Sequence, residues 1–236
     1  DTSSFSTPDN FYQTKEQCLS ALNSCYIPLN GTYNYTLFIA TEACTDIMYI
    51  NSGTLDSRLD ISPAKPRHGE TVWNNGYKGV MYCNAAINGI ENSPLEENEK
   101  LPLLGEGKIM RAFYYYDLAT IFQNIPLIDK PMEVVDKSTI TKSSKEEVMN
   151  FILKDLNTAI AEPNLPNAKS LPTSEIGRIT KEAAMAFRAR VLMFYGNYGE
   201  ALKDLKTVVE SGSYELVDDY EKLFNNATEG YMSKES

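Results

Sequence analysis

An all-α fold of helical hairpins, with long loops and very little strand, is what three features of this 236-residue sequence predict. Apolar residues recur at spacings of three and four in segment after segment, the period of a helix with one buried face. Several of these segments open on a Ser or Thr able to cap a helix or close on a glycine. One stretch alone, "SYELV" at 213–217, has the composition of a strand.

Taken in order, "TKEQCLSALNSCY" at 14–26 places Cys18, Leu22, Cys25 and Tyr26 along one stripe and ends at "IP", which predicts a short amphipathic helix. Residues 29–70 scatter Gly, Pro, Asn and Ser around one apolar patch, so a helical turn or two is expected near 37–47, followed by a loop to about residue 69. "ETVWNNGYKGVMYCNAAINGIE" returns to helical spacing through Trp73, Tyr77, Val80, Met81, Asn84, Ile87 and Ile90. Gly76 and Gly79 interrupt it where a neighbouring helix can approach closely. A second helix is expected from about Leu101 to Phe122, ended by "QNIP" because the residue before proline leaves the α region.

Beyond a proline-containing loop at 124–142, Ser143 or Ser144 with Glu146 or Glu147 forms a capping box for a helix whose stripe is Val148, Phe151, Ile152, Leu156, Ala159 and Ile160. Thr180 caps "KEAAMAFRARVLMFYG", and Tyr198 begins "YGEALKDLKTVVESG", with Gly196 and Gly212 placed as helix stops. This last pair fits the tetratricopeptide pattern: Ala189 and Ala201 are the small residues at the crossing, and Gly196, Asn197 and Tyr198 make the turn. Val208 departs from it, standing where alanine is usual. One such unit leaves a face unburied, so the pairs at about 70–122 and 143–160 are the expected neighbours of the pair at 180–211.

Composition removes several functions. Acidic residues outnumber basic ones 32 to 22, giving net charge −10, which repels nucleic-acid backbones and anionic membrane surfaces. No apolar run reaches the roughly 20 residues of a membrane span. Cys18, Cys25, Cys44 and Cys83 contain no C-x-x-C pair, which argues against zinc, and are compatible either with two disulfides or with buried free thiols. His68, the single histidine, sits in "KPRHGE" and is read as a loop surface residue rather than a catalytic base. Paired acids such as Glu96-Glu97 or Asp218-Asp219 point about 100° apart on a helix and read as solvated faces, and "GEGK" lacks the phosphate-loop spacing. Neither catalytic residues nor a metal or cofactor site is expected.

The run Tyr114-Tyr115-Tyr116 raises the question of a ligand-gripping surface. Successive helical residues turn by 100°, so the three rings fan over roughly 200° and cannot form one platform. They are read as scaffold, each joining its own stripe of a helix buried on most sides.

The order of these pieces resembles the SusD/RagB family of surface nutrient-binding lipoproteins over nearly the whole chain. The matching residues are Phe11, Tyr12 and Thr14, then "ALNSCY"; Trp73, Tyr77 and Asn84; and Gly105, Glu106, Lys108, Arg111, Ala112 and Tyr115, followed by Pro126 and Leu127. "FILKDLNTAI" adds Ile152, Asp155, Leu156 and Ala159, and "GRITKEAAMAFRARVLMF" adds Gly177, Arg178, Thr180, Ala184, Ala189 and Leu192. Gln123 departs from the family by replacing a common glycine, and Gly107 by replacing alanine.

The resemblance implies a tetratricopeptide-bearing helical region in a SusD-like arrangement spanning residues 1–236, the N-terminal portion of a longer fold whose C-terminal part is absent. It implies a lipid-modified cysteine upstream of Asp1, a surface-exposed place on the outer membrane, and capture of oligosaccharide, or in some branches peptide, for a TonB-dependent SusC-like transporter. A pure interaction scaffold is the reading from a different class. Sugar recognition needs aromatic faces and planar polar groups. The stretch "DIMYINSGTLDSRLDISPAKPRHGETVW" supplies Tyr49, Asn51, Asp56, Arg58 and Trp73, taken as the candidate ligand-binding residues. Trp73 has a competing reading as core, because it opens the W-x3-Y helix.

Overall fold

Eight α-helices carry the computed structural model, which describes residues 11–34, 36–42, 45–46, 68–161 and 163–216. They are α1 (Lys15–Ser24), α2 (Ile27–Tyr33), α3 (Thr36–Glu42), α4 (His68–Glu91), α5 (Glu97–Phe122), α6 (Lys145–Ile160), α7 (Lys181–Phe194) and α8 (Tyr198–Ser211). α4 packs on α5, α5 on α6, and α7 on α8, while α1, α2 and α3 line up against α4. Among the described residues the only β pairing is an isolated antiparallel bridge between Pro126 and Lys142.

Local chemistry explains most boundaries. Thr14 caps α1 by accepting from the Gln17 N–H while the Gln17 side chain returns to the cap, and Ser144 with Glu147 does the same for α6. The second of these settles which serine and which acid form the box. Gly212 ends α8 in the left-handed region at φ 58°, and Gly196 turns α7 into α8 at φ 83°. Gln123, where the resemblance leads one to expect glycine, closes α5 at φ 64°, a backbone region unfavourable for a residue bearing a Cβ.

Four boundaries differ from the sequence expectation. "IP" does not simply end a helix: Pro28 sits in the first turn of α2, where its missing N–H costs nothing. α5 starts at Glu97, not near 101, and carries Pro102 inside it. Glu97 and Glu99 in its first turn favour the positive end of the helix dipole and help offset the one backbone bond proline removes. His68 is the first residue of α4, half-buried, rather than a loop residue. Residues 213–216 form no strand, since a strand needs a partner ladder and none lies alongside among the described residues.

The core is continuous across α1, α4, α5 and α6 and takes in part of α7. Leu22, Val80, Ile87, Tyr114, Tyr115, Leu118, Ile152 and Leu156 are all buried in it, each contributing on the order of 1.5–3 kcal/mol of transfer free energy. The glycines of α4 make the close approach possible: a Cβ on Gly76 would meet Leu118 at 2.8 Å, and one on Gly79 would meet the Tyr114 ring at 2.2 Å. Cys18, Cys25 and Cys83 are free thiols buried in this core, and Cys44 lies outside the described residues.

The three tyrosines divide as the helical rotation requires. Tyr114 donates to the Cys25 carbonyl at 2.6 Å, Tyr115 donates to the Ile128 carbonyl at 2.8 Å and accepts from its N–H at 2.7 Å, and half-buried Tyr116 meets Phe187 and Phe194 edge-on. α8 is attached more lightly, through a small cluster of Ala189, Leu192 and Ala201. Its outer face leaves Tyr198, Leu202, Leu205 and Val209 exposed.

Candidate functional site

Of the five residues singled out for ligand binding, Tyr49, Asn51, Asp56 and Arg58 lie outside the described residues, and Trp73 alone can be placed. It occupies the second turn of α4, close after the point at which the described chain resumes at His68. Its indole is half-buried, with its centroid 4.8 Å from the Tyr77 ring and 5.0 Å from Phe122, the last residue of α5, which meets it edge-on. A spacing of four residues sets Trp73 and Tyr77 on one side of α4. The end of α5 then completes a cluster of three aromatic rings at the end of the bundle.

Sequence reasoning gave Trp73 a place here but passed over Tyr77 and Phe122. The W-x3-Y spacing was the available signal for Tyr77. Nothing short of the helix pairing could have signalled Phe122, since 45 to 49 residues separate it from its partners in sequence. Part of the cluster is plainly structural: the Tyr77 hydroxyl donates to the Pro126 carbonyl at 2.8 Å, and burial raises its pKa. The indole, shielded on one side by Tyr77 and at its edge by Phe122, is still partly open to solvent, which is the form of surface that meets the apolar face of a pyranose.

Behind the aromatic cluster the backbone is fixed by a buried polar network. Arg111 forks onto Asp155, Nε to Oδ2 at 2.7 Å and Nη2 to Oδ1 at 2.8 Å, while Nη1 donates to Asn84 at 2.8 Å. Asn84 donates to the carbonyls of Ile128 and Lys130. Together with Tyr77 and Tyr115, these bonds tie residues 126–130 across α4, α5 and α6. Arg111 and Asp155 therefore act as positioning groups for the loop that follows α5.

Among the described residues no group of three or more His, Cys, Asp or Glu side chains could hold a metal ion, and no helix is long and apolar enough to cross a membrane. His68 has interactions of its own at the head of α4.

Comparison with known proteins adds the following. A SusD-like family model, described as "Starch-binding associating with outer membrane", matches residues 6–193. SusD-like protein P38 of Formosa agariphila is 27% identical over 214 residues, covering 88% of this chain and 40% of the relative. A SusD-like protein of Bacteroides ovatus is 27% identical over 180 residues, covering 69% of this chain and 32% of its own. Among solved structures, a SusD-like protein from Bacteroides fragilis superposes with TM-score 0.79 at 29% identity, covering 93% of this chain and 43% of that one. The surface glycan-binding protein A of Bacteroides fluxus gives 0.76 at 26%, covering 90% and 48%. The chain spans less than half the length of these relatives.

Proposed function

The chain belongs to the SusD-like family, and from that membership we propose that it captures an oligosaccharide at the cell surface and delivers it to a TonB-dependent, SusC-like transporter in the outer membrane. The observation that carries the reading to a place on the molecule is the half-buried indole of Trp73, set against a tilted Tyr77 ring and an edge-on Phe122. Tyr49, Asn51, Asp56 and Arg58, which precede α4 in sequence and lie outside the described residues, are the companions proposed for it: a further ring, and planar polar groups for sugar hydroxyls. Binding without chemistry fits such a surface, and a lipid anchor upstream of Asp1 would hold the protein at the membrane without any span of its own.

A glycan array on the full-length protein tests the ligand class. Saturable binding to a polysaccharide, weakened about tenfold or more by Trp73→Ala with the melting temperature lowered by only a few degrees, supports the site. Binding to peptides in place of glycans points to a peptide receptor, and binding to neither points to a scaffold. Delivery is tested by purification from native outer membranes, where the absence of a large barrel protein in the eluate would count against the transporter partner.

A further inference from the structure

A second concavity lies at the other end of α5. Glu106 is 16 residues from Phe122, about 24 Å along the helix axis at 1.5 Å per residue. The concavity measures about 400 Å³, within the size range of small-molecule sites, and lies between α1, the first turns of α5 and the proline-rich stretch 163–179.

Its lining combines an apolar wall with one buried charge. Leu103, Pro166, Leu171 and Ile179 contribute the wall. Glu106 is 4% exposed, yet it is an ionisable carboxyl, and its two described partners both bond the same oxygen. The Tyr26 hydroxyl donates to Oε1 at 2.5 Å and Arg178 Nη1 donates to Oε1 at 3.0 Å, while Arg178 Nη2 turns away to Asn23 at 3.1 Å. No described donor bonds Oε2, so a carboxylate taken out of water keeps an acceptor unused, which is costly unless something donates to it.

We propose that this cavity is a binding site for a primary amine carried on an apolar body, such as the alkylammonium chain of a lysine-like ligand. The rim agrees with a cation: Glu99, Glu106 and Glu175 stand against Lys15 and Arg178, and Arg178 is already engaged by Glu106 and Asn23. A sugar is disfavoured because none of the described lining residues is aromatic, so a pyranose would find no ring to stack on. An alkylammonium satisfies both halves, its methylenes against leucine and proline and its N–H groups on Oε2 in a charge-assisted bond.

The site is independent of the glycan reading. Calorimetry on the full-length protein with hexylamine, hexanol and maltose tests it. Expected is saturable binding of hexylamine, at least about tenfold weaker binding of hexanol, and at least about tenfold loss of hexylamine affinity in Glu106→Gln. Glu106 also holds Tyr26 and Arg178, so Glu106→Gln is first checked for folding by circular dichroism. If it is unfolded, the half-buried rim variant Glu175→Gln, expected to weaken hexylamine about threefold, decides. Equal binding of hexanol, maltose binding that hexylamine displaces, no hexylamine binding, or affinity unchanged in the folded variants would each overturn the proposal. Maltose binding that survives hexylamine saturation belongs to the Trp73 surface and leaves this site standing.

Discussion

At the scale of single residues, Asp117 has the most informative environment. It stands on α5 facing Tyr33 of α2, whose hydroxyl donates to Oδ2 at 2.6 Å. Burial pushes its carboxyl up to about 6, overcoming the Tyr33 bond and the nearby charge of Arg190, both of which pull it down. The folded protein therefore holds this proton more tightly than the unfolded chain, whose aspartates titrate near 3.9. The stabilisation from holding the proton is fully present below the unfolded value and is lost as pH rises through about 6. Its size is at most about 3 kcal/mol, from the roughly two pH units separating the two states. Asp117→Asn keeps an acceptor for Tyr33 and removes the titration. Urea unfolding should show the variant gaining about 1–3 kcal/mol on the parent between pH 4 and pH 7.5. A difference that stays constant across that window would mean the carboxyl is solvated.

Elements were legible wherever one strong local signal acted alone. The capping box of α6 and the glycine stops of α7 and α8 are written in nearby residues, so their helices could be placed to within a residue or two. α2 was not legible, because Pro28 reads as a stop for the preceding helix and a start for the next. The opening of α5 was obscured by Pro102, and "SYELV" has strand composition but, over 213–216, no ladder to join among the described residues.

Gly79 shows how the pairing of α4 with α5 was half visible. Its place in an apolar stripe announces a close approach, but that the approaching group is Tyr114 depends on the fold. In Gly79→Ala the new methyl displaces a fully buried ring and its 2.6 Å bond to the Cys25 carbonyl. The expected net loss is about 1–3 kcal/mol, despite alanine's helix-propensity gain of about 1 kcal/mol. Gly199→Ala in α8, where a Cβ meets nothing within 4 Å, is the control and should be neutral or slightly stabilising. Thermal melts in which both variants behave alike would show that Tyr114 can move aside freely.

Over the whole molecule, the sequence pattern discloses the array of helices better than it discloses the site. Trp73 could be named from its spacing, whereas Glu106 and Arg178 were family labels until the fold brought them together from 72 residues apart. The same long-range logic divides the stability of the array. The main core spans α1, α4, α5 and α6 and takes in part of α7, but α8 is held by a small apolar cluster, a bond from Lys169 to the Ser211 carbonyl at 2.6 Å, and a polar clamp. In that clamp Arg188 forks onto Asp204, Nε to Oδ2 at 2.7 Å and Nη2 to Oδ1 at 2.6 Å, and reaches Asn157 of α6 at 2.7 Å through Nη1. Asp204 is buried while the Arg188 side chain is one-fifth exposed, so removing the arginine leaves an acid with little access to water. The loss should fall at or below the lower end of the range for a buried pair, about 2–3 kcal/mol. In an array whose units contact only their neighbours, that loss acts locally. In Arg188→Ala, hydrogen exchange should therefore speed up by roughly 30- to 150-fold across α8, since each 1.4 kcal/mol is a factor of ten. Protection in α4 and α5 should stay within a factor of about two. Uniform acceleration through all the helices would instead mean that α8 unfolds only with the rest, and that the clamp stabilises one cooperative unit.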